Sequence, residues 1–127
     1  MIDIEAKEIE ILEGLKDFQR ATVDRCFEVF RSGQNRILVA DEVGLGKTMV
    51  AKGIIAQTVD HLWKQGNKKI DIIYLCSNQS IASQNIARLN ILSTGGFTEA
   101  TRLTLLARRP IETQLKVDEE QRVKFVS

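Results

Sequence analysis

One stretch constrains this chain more than any other. The apolar run Arg36-Ile37-Leu38-Val39-Ala40 leads into Asp41-Glu42-Val43-Gly44-Leu45-Gly46-Lys47-Thr48 and then into a long amphipathic stripe. A short apolar run bounded by turn residues predicts a buried strand over 36–40. After the glycines, Val50, Ala51, Ile54, Ile55, Val59, Leu62 and Trp63 recur at helical spacing, so a helix is expected from Lys47 to Lys64. Gly66-Asn67 supplies its stop. Strand, glycine turn ending in Lys-Thr, and helix, in that order, are what a phosphate-binding loop requires. Gly44 and Gly46 admit backbone conformations closed to other residues and a close approach to phosphate oxygens. The loop amides and the first turn of the helix then face an anion, aided by the helix dipole. Lys47 is placed to set its ammonium between β- and γ-phosphates, and Thr48 to give its hydroxyl to Mg²⁺. The plain alternative is a glycine-rich turn that ends in Lys-Thr by chance.

The rest of the chain fits the same architecture. Residues 1–16 are acidic and weakly periodic, a lead-in with room for a short helix. Phe18, Val23, Cys26, Phe27 and Phe30 predict a helix to Arg31, broken by Ser32-Gly33-Gln34-Asn35. Ile70 to Cys76 reads as a second buried strand, and 79–92 as a helix that Ser77 or Asn78 can cap. Thr101 to Ala107 reads as a third strand, 110–121 as a polar connection, and Val123 to Val126 as the start of a fourth. Strands alternating with helices at this spacing imply parallel pairing through right-handed crossovers. The expected class is α/β, a three-layer P-loop sandwich over residues 17–127.

The strict loop pattern wants glycine at position 41, where this chain has Asp41. That departure argues against a plain kinase or small GTPase. Ala40 to Thr48 (ADEVGLGKT) instead resembles motif I of superfamily 2 helicases of the Swi/Snf remodeller group and its bacterial relatives, which carry an Asp-Glu pair ahead of GxGKT. Leu15-Lys16-Asp17-Phe18-Gln19, upstream, looks like that family's glutamine element, so the resemblance implies that Gln19 recognises adenine. A carboxamide suits the task, since it offers a donor and an acceptor as the adenine edge does. Ile72 to Leu89 sits where the family places motif Ia, in a divergent form without the proline common near position 78. There Ser77, Asn78, Gln79 and Gln84 are candidates to contact the phosphates of one nucleic-acid strand. The competing reading is that Ser77 or Asn78 caps a helix and the others are solvated.

Hydrolysis by such a motor also needs an acidic pair on a buried strand and arginine fingers, normally from a second RecA-like domain. Val117-Asp118-Glu119-Glu120-Gln121 has the letters of a DExQ box, but mostly polar residues precede it, and it reads as a solvated charged stretch. Arg88, Arg102, Arg108 and Arg109 have no pattern that makes them fingers and read as surface residues, with phosphate contact as the alternative. The chain is therefore expected to be the first half of a first motor domain, marginal on its own, with a second RecA-like domain among its partners.

Composition adds limits. With 18 basic residues against 17 acidic ones, net charge is +1, which gives no support for general polyanion binding. No apolar run approaches the ~18 residues of a membrane span, and Asp3 and Glu5 among the first isoleucines do not read as a secretory signal. Cys26 and Cys76, far apart and in apolar surroundings, read as buried inert thiols in a reducing cytoplasm. The expectation is the ATP-binding portion of a nucleic-acid-dependent ATPase, helicase or translocase, using ATP and Mg²⁺, with DNA expected ahead of RNA. Two rivals remain: a non-catalytic module that binds nucleotide and signals to a partner, and a P-loop ATPase acting on proteins or small molecules.

Overall fold

The structure is a computed structural model that describes residues 3–42, 44–67, 69–91 and 122–126, the last five by their backbone. The chain divides into two compact units, Met1–Gln65 and Gly66–Ser127.

The first unit is helical. Helix α1 spans Ile4–Glu13 and starts where the Asp3 carboxylate accepts the Ala6 amide at 3.2 Å, a side-chain N-cap. Gly14 ends it, and Ile4, Ile11 and Leu12 form its buried face. Helix α2 spans Asp17–Arg31. Its N-cap, Lys16, has no side chain able to accept a hydrogen bond. Gln19, three residues on, reaches back instead, its Oε1 accepting the Lys16 amide at 3.0 Å, which is half of a capping box. Helix α3 spans Lys47–Lys64, as its apolar stripe predicts, and both α1 and α2 pack on it. Leu12, Leu15, Val23 and Val50 make the core of this unit, with Met49 and Ile54 packed against it.

The close approach of these helices depends on Gly53. A Cβ there would lie 2.9 Å from Val23 Cγ2 and 3.0 Å from Leu15 Cδ1. Glycine at this point lets α3 seat beneath Leu15 and Val23, which fixes the helix that begins at Lys47.

The second unit contains a parallel strand pair. Strand β1 is Lys69–Ile73 and β2 is Arg122–Val126, in register from Lys69 opposite Arg122 to Ile73 opposite Val126. Helix α4, Gln79–Leu89, follows β1. Ala82, Ile86, Leu89 and Ile91 are buried, and Asn85 Nδ2 donates to the Tyr74 hydroxyl at 2.9 Å. Among the described residues, no helix is long and apolar enough to cross a membrane.

Three expectations need correction. Residues 36–40 form no strand: Ile37 and Val39 are half-buried while Leu38 is 89% exposed. A strand exists through its hydrogen-bond ladder, and no described residue pairs with this segment. Its alternate side chains are instead covered along α2, where Ala21, Thr22, Cys26 and Val29 face residues 37–41 across a cleft of about 420 Å³. Second, β1 stops at Ile73 rather than Cys76, so Leu75 and Cys76 lie beyond the ladder and are exposed. Only Cys26 is the buried thiol expected of both. Burial, reinforced by the charge of Asp41, pushes its pKa up and keeps it protonated. Third, α4 ends at Leu89, earlier than the 92 expected. The predicted strand at 101–107, the connection 110–121 with its DExQ-like letters, and Arg102, Arg108 and Arg109 lie outside the described residues.

Candidate nucleotide-binding site

The turn into α3 is built by two glycines. Gly44 has φ +89° and Gly46 φ +77°, both in the left-handed region that side chains avoid. Gly46 is the N-cap of α3, and its carbonyl accepts the Met49 and Val50 amides at 2.8 and 3.2 Å. Leu45 N–H closes the turn on Glu42 O at 3.4 Å. No side chain caps this helix, and its first turn carries no acidic residue. The partial positive charge of an α-helix N-terminus, with first-turn amides that have no acceptor in their own helix, is therefore left uncompensated where the loop opens.

Lys47 is exposed at the mouth of this turn and folds back over it, its ammonium donating to the Glu42 carbonyl at 2.9 Å. That bond holds the lysine over the loop on a neutral carbonyl; an ionised acceptor would bind the same ammonium more strongly. Thr48 lies in the first turn of α3, half-buried. Asp41 is half-buried, Glu42 and Leu45 are exposed, and Val43 lies outside the described residues.

Gln19 comes to the same place from α2. It is 6% exposed, and its carboxamide is used twice: Oε1 on the Lys16 amide, Nε2 on the Leu45 carbonyl at 3.0 Å. Nε2 also lies against Gly46 so closely that a Cβ on that glycine would collide with it. The structure thus joins the upstream glutamine to the glycine turn. It joins them through the loop backbone, with the amide largely covered. Sequence reasoning did not foresee this clasp. The N3 position of Gln19 signals a capping role at the helix start, but its second partner is a main-chain carbonyl and has no side-chain signature.

The donor set suits a phosphate-bound Mg²⁺. Among the described residues, no three His, Cys, Asp or Glu side chains gather as a metal cage. Mg²⁺ at nucleotide sites needs none, since it takes one or two protein oxygens together with phosphates and waters. Thr48 Oγ1 is the protein oxygen at the start of α3 that fits this part.

The four residues assigned to nucleic acid belong to the other unit. Asn78 caps α4, its Oδ1 accepting the Ile81 amide at 3.2 Å. Ser77 and Gln84 are exposed, as is Arg88 in the last turn of α4, and the side chain of Gln79 is outside the described residues. The capping alternative therefore holds for Asn78.

A family model described as type III restriction enzyme, res subunit, matches residues 13–125. No curated protein and no solved structure matches the chain.

Proposed function

From the premise that this chain belongs to the family of the type III restriction enzyme res subunit, we propose that it is the ATP-binding portion of a nucleic-acid-dependent motor, a helicase or translocase of superfamily 2. The family is helicase-related and of the P-loop type, which accords with an ATP-binding role. The observation that carries the reading is the turn at Gly44 and Gly46, opening on an uncapped helix N-terminus with Lys47 at its mouth. Bound there, ATP has its phosphates on the amides of 44–48 and on Lys47, with Thr48 on Mg²⁺. The Swi/Snf-like form of Ala40 to Thr48 supports DNA as the nucleic acid, and the parallel pair β1 and β2 supports the three-layer sandwich. Supply of the acidic pair and of arginine fingers by further parts of a motor is part of the same proposal.

Calorimetric titration of MgATP into the chain tests the binding claim. Lys47→Ala removes a charge-assisted contact worth about 1.5–3 kcal/mol, a loss of roughly ten- to a hundredfold in affinity. Gly46→Val blocks the turn and abolishes binding. Unchanged affinity in both variants overturns the assignment. In a protein that carries this chain together with the rest of the motor, ATP turnover rises on addition of DNA. Turnover indifferent to nucleic acid favours an ATPase acting on other substrates, and absence of turnover favours a signalling module.

A further inference from the structure

Helix α1 is fastened to α3 at two places of different character. Near its end, Leu12 joins Leu15, Val23 and Val50 in the core that seats α3. Toward its start the tie is ionic. Lys64 Nζ lies 3.3 Å from Glu5 Oε1 on α1 and 2.8 Å from Asp60 Oδ2 on its own helix, so the Asp60 carboxylate stands on the side of α3 where α1 lies. The Glu5 and Lys64 side chains are both more than half exposed, and an ion pair between groups so placed is worth little. Asp60 is different. It is 6% exposed, and its Oδ1 is buried with no hydrogen-bond donor.

A buried carboxylate with one oxygen undonated works against the docking that buries it. Lys64 offsets part of that cost through the other oxygen, yet a buried ion pair often joins two elements less firmly than apolar side chains do. Undocking of α1 returns Asp60 to water. Gly14 stops α1 and, with Leu15 and Lys16, separates it from α2. A helix of 10 residues is too short to persist alone in water, so α1 melts as it leaves α3.

We propose that α1 is a detachable strap on α3, held by its apolar face and kept ready to leave by the buried Asp60 carboxylate. Only its consequence for ligand binding rests on the nucleotide reading. With α1 undocked, Leu12 no longer supports Val50 in the first turn of α3, beside the loop proposed to hold the phosphates. Docking of α1 and binding of MgATP then favour each other by the same factor.

Native-state amide exchange on the full chain tests this. Without ligand, α1 exchanges faster than α2 and α3, through an opening of its own. Exchange of α1 only together with α2 and α3 overturns the proposal, and needs no variant. Asp60→Met removes the buried charge and slows α1 exchange by roughly tenfold. Asp60→Ala, which cannot overpack, slows it in the same direction and decides the matter where the longer side chain does not fit. Faster α1 exchange in both variants overturns the proposal. Saturating MgATP slows α1 as well, by less than it slows residues 44–50. MgATP that binds by calorimetry but leaves α1 exchange unchanged overturns the coupling to the nucleotide site. Absence of MgATP binding overturns the nucleotide reading instead, while α1 exchange without ligand still decides the strap.

Discussion

Gln19 clasps the glycine turn, and a single substitution separates that role from the adenine recognition proposed for it. Its Nε2 holds the Leu45 carbonyl and its Oε1 holds the Lys16 amide, so it fixes the glycine turn whether or not a base is bound. Adenine recognition, which resemblance assigns to it, requires the same carboxamide to face the nucleotide. Gln19→Glu keeps the acceptor for Lys16 but sets an oxygen against the Leu45 carbonyl and places a charge at a buried position. The turn should open, and the folded state should lose about 1–3 kcal/mol in urea denaturation without nucleotide. MgATP and MgGTP should then lose affinity together. Reading of adenine alone gives a different result: unchanged stability without nucleotide, and a loss confined to ATP. Gly46 meets the same atoms from the other side. Gly46→Ala forces a left-handed conformation on alanine and drives its Cβ into Gln19 Nε2, so it should weaken ATP binding more than Gly44→Ala, whose Cβ would meet nothing within 4 Å.

Among the elements, α3 is the one on which the site depends, and its seat is the contact at Gly53. Gly53→Ala improves helix propensity by about 1 kcal/mol but must displace Val23 and Leu15, an overpacking cost of about 1–3 kcal/mol. The net effect is a destabilisation of up to about 2 kcal/mol, seen as a lower urea midpoint at unchanged slope. At the start of α4, Asn78→Ala should cost about 1 kcal/mol, whereas Asn78→Asp keeps the cap and adds a negative charge. Asn78→Asp that leaves stability intact but weakens DNA binding identifies a phosphate contact as well as a cap. These helices were legible in sequence because each carries an apolar stripe with a marked stop: α3 runs from Lys47 to Lys64 as its stripe and Gly66 dictate, and α2 starts one residue before Phe18. Residues 36–40 misled because an apolar run reports that side chains are covered, not what the backbone bonds to. Here Ile37 and Val39 are half-covered beside α2 without a ladder. The clasp from Gln19 to Leu45 was illegible for a related reason. Its acceptor is a backbone carbonyl, which every residue has.

At the scale of the chain, the described residues proposed for the nucleotide site lie within Met1–Gln65, while those proposed for nucleic acid lie within Gly66–Ser127. A ligand that binds only the folded state adds RT ln(1 + [L]/Kd), about 2.7 kcal/mol at a hundredfold excess over Kd. Where that energy appears in the chain depends on which residues make the contacts. With MgATP at that excess, slowed amide exchange should concentrate in 44–50 and in the N-terminal turn of α2, which reaches the loop through Gln19. Residues 69–73 and 79–89 should change little until DNA is added, and then 77–84 should respond. Lys47→Ala should remove the first response and leave the second. Protection by MgATP alone that spreads equally over β1 and α4 would mean that the second unit supplies nucleotide contacts of its own. The assignment of Ser77, Asn78, Gln79 and Gln84 to a nucleic-acid strand would then have to be given up.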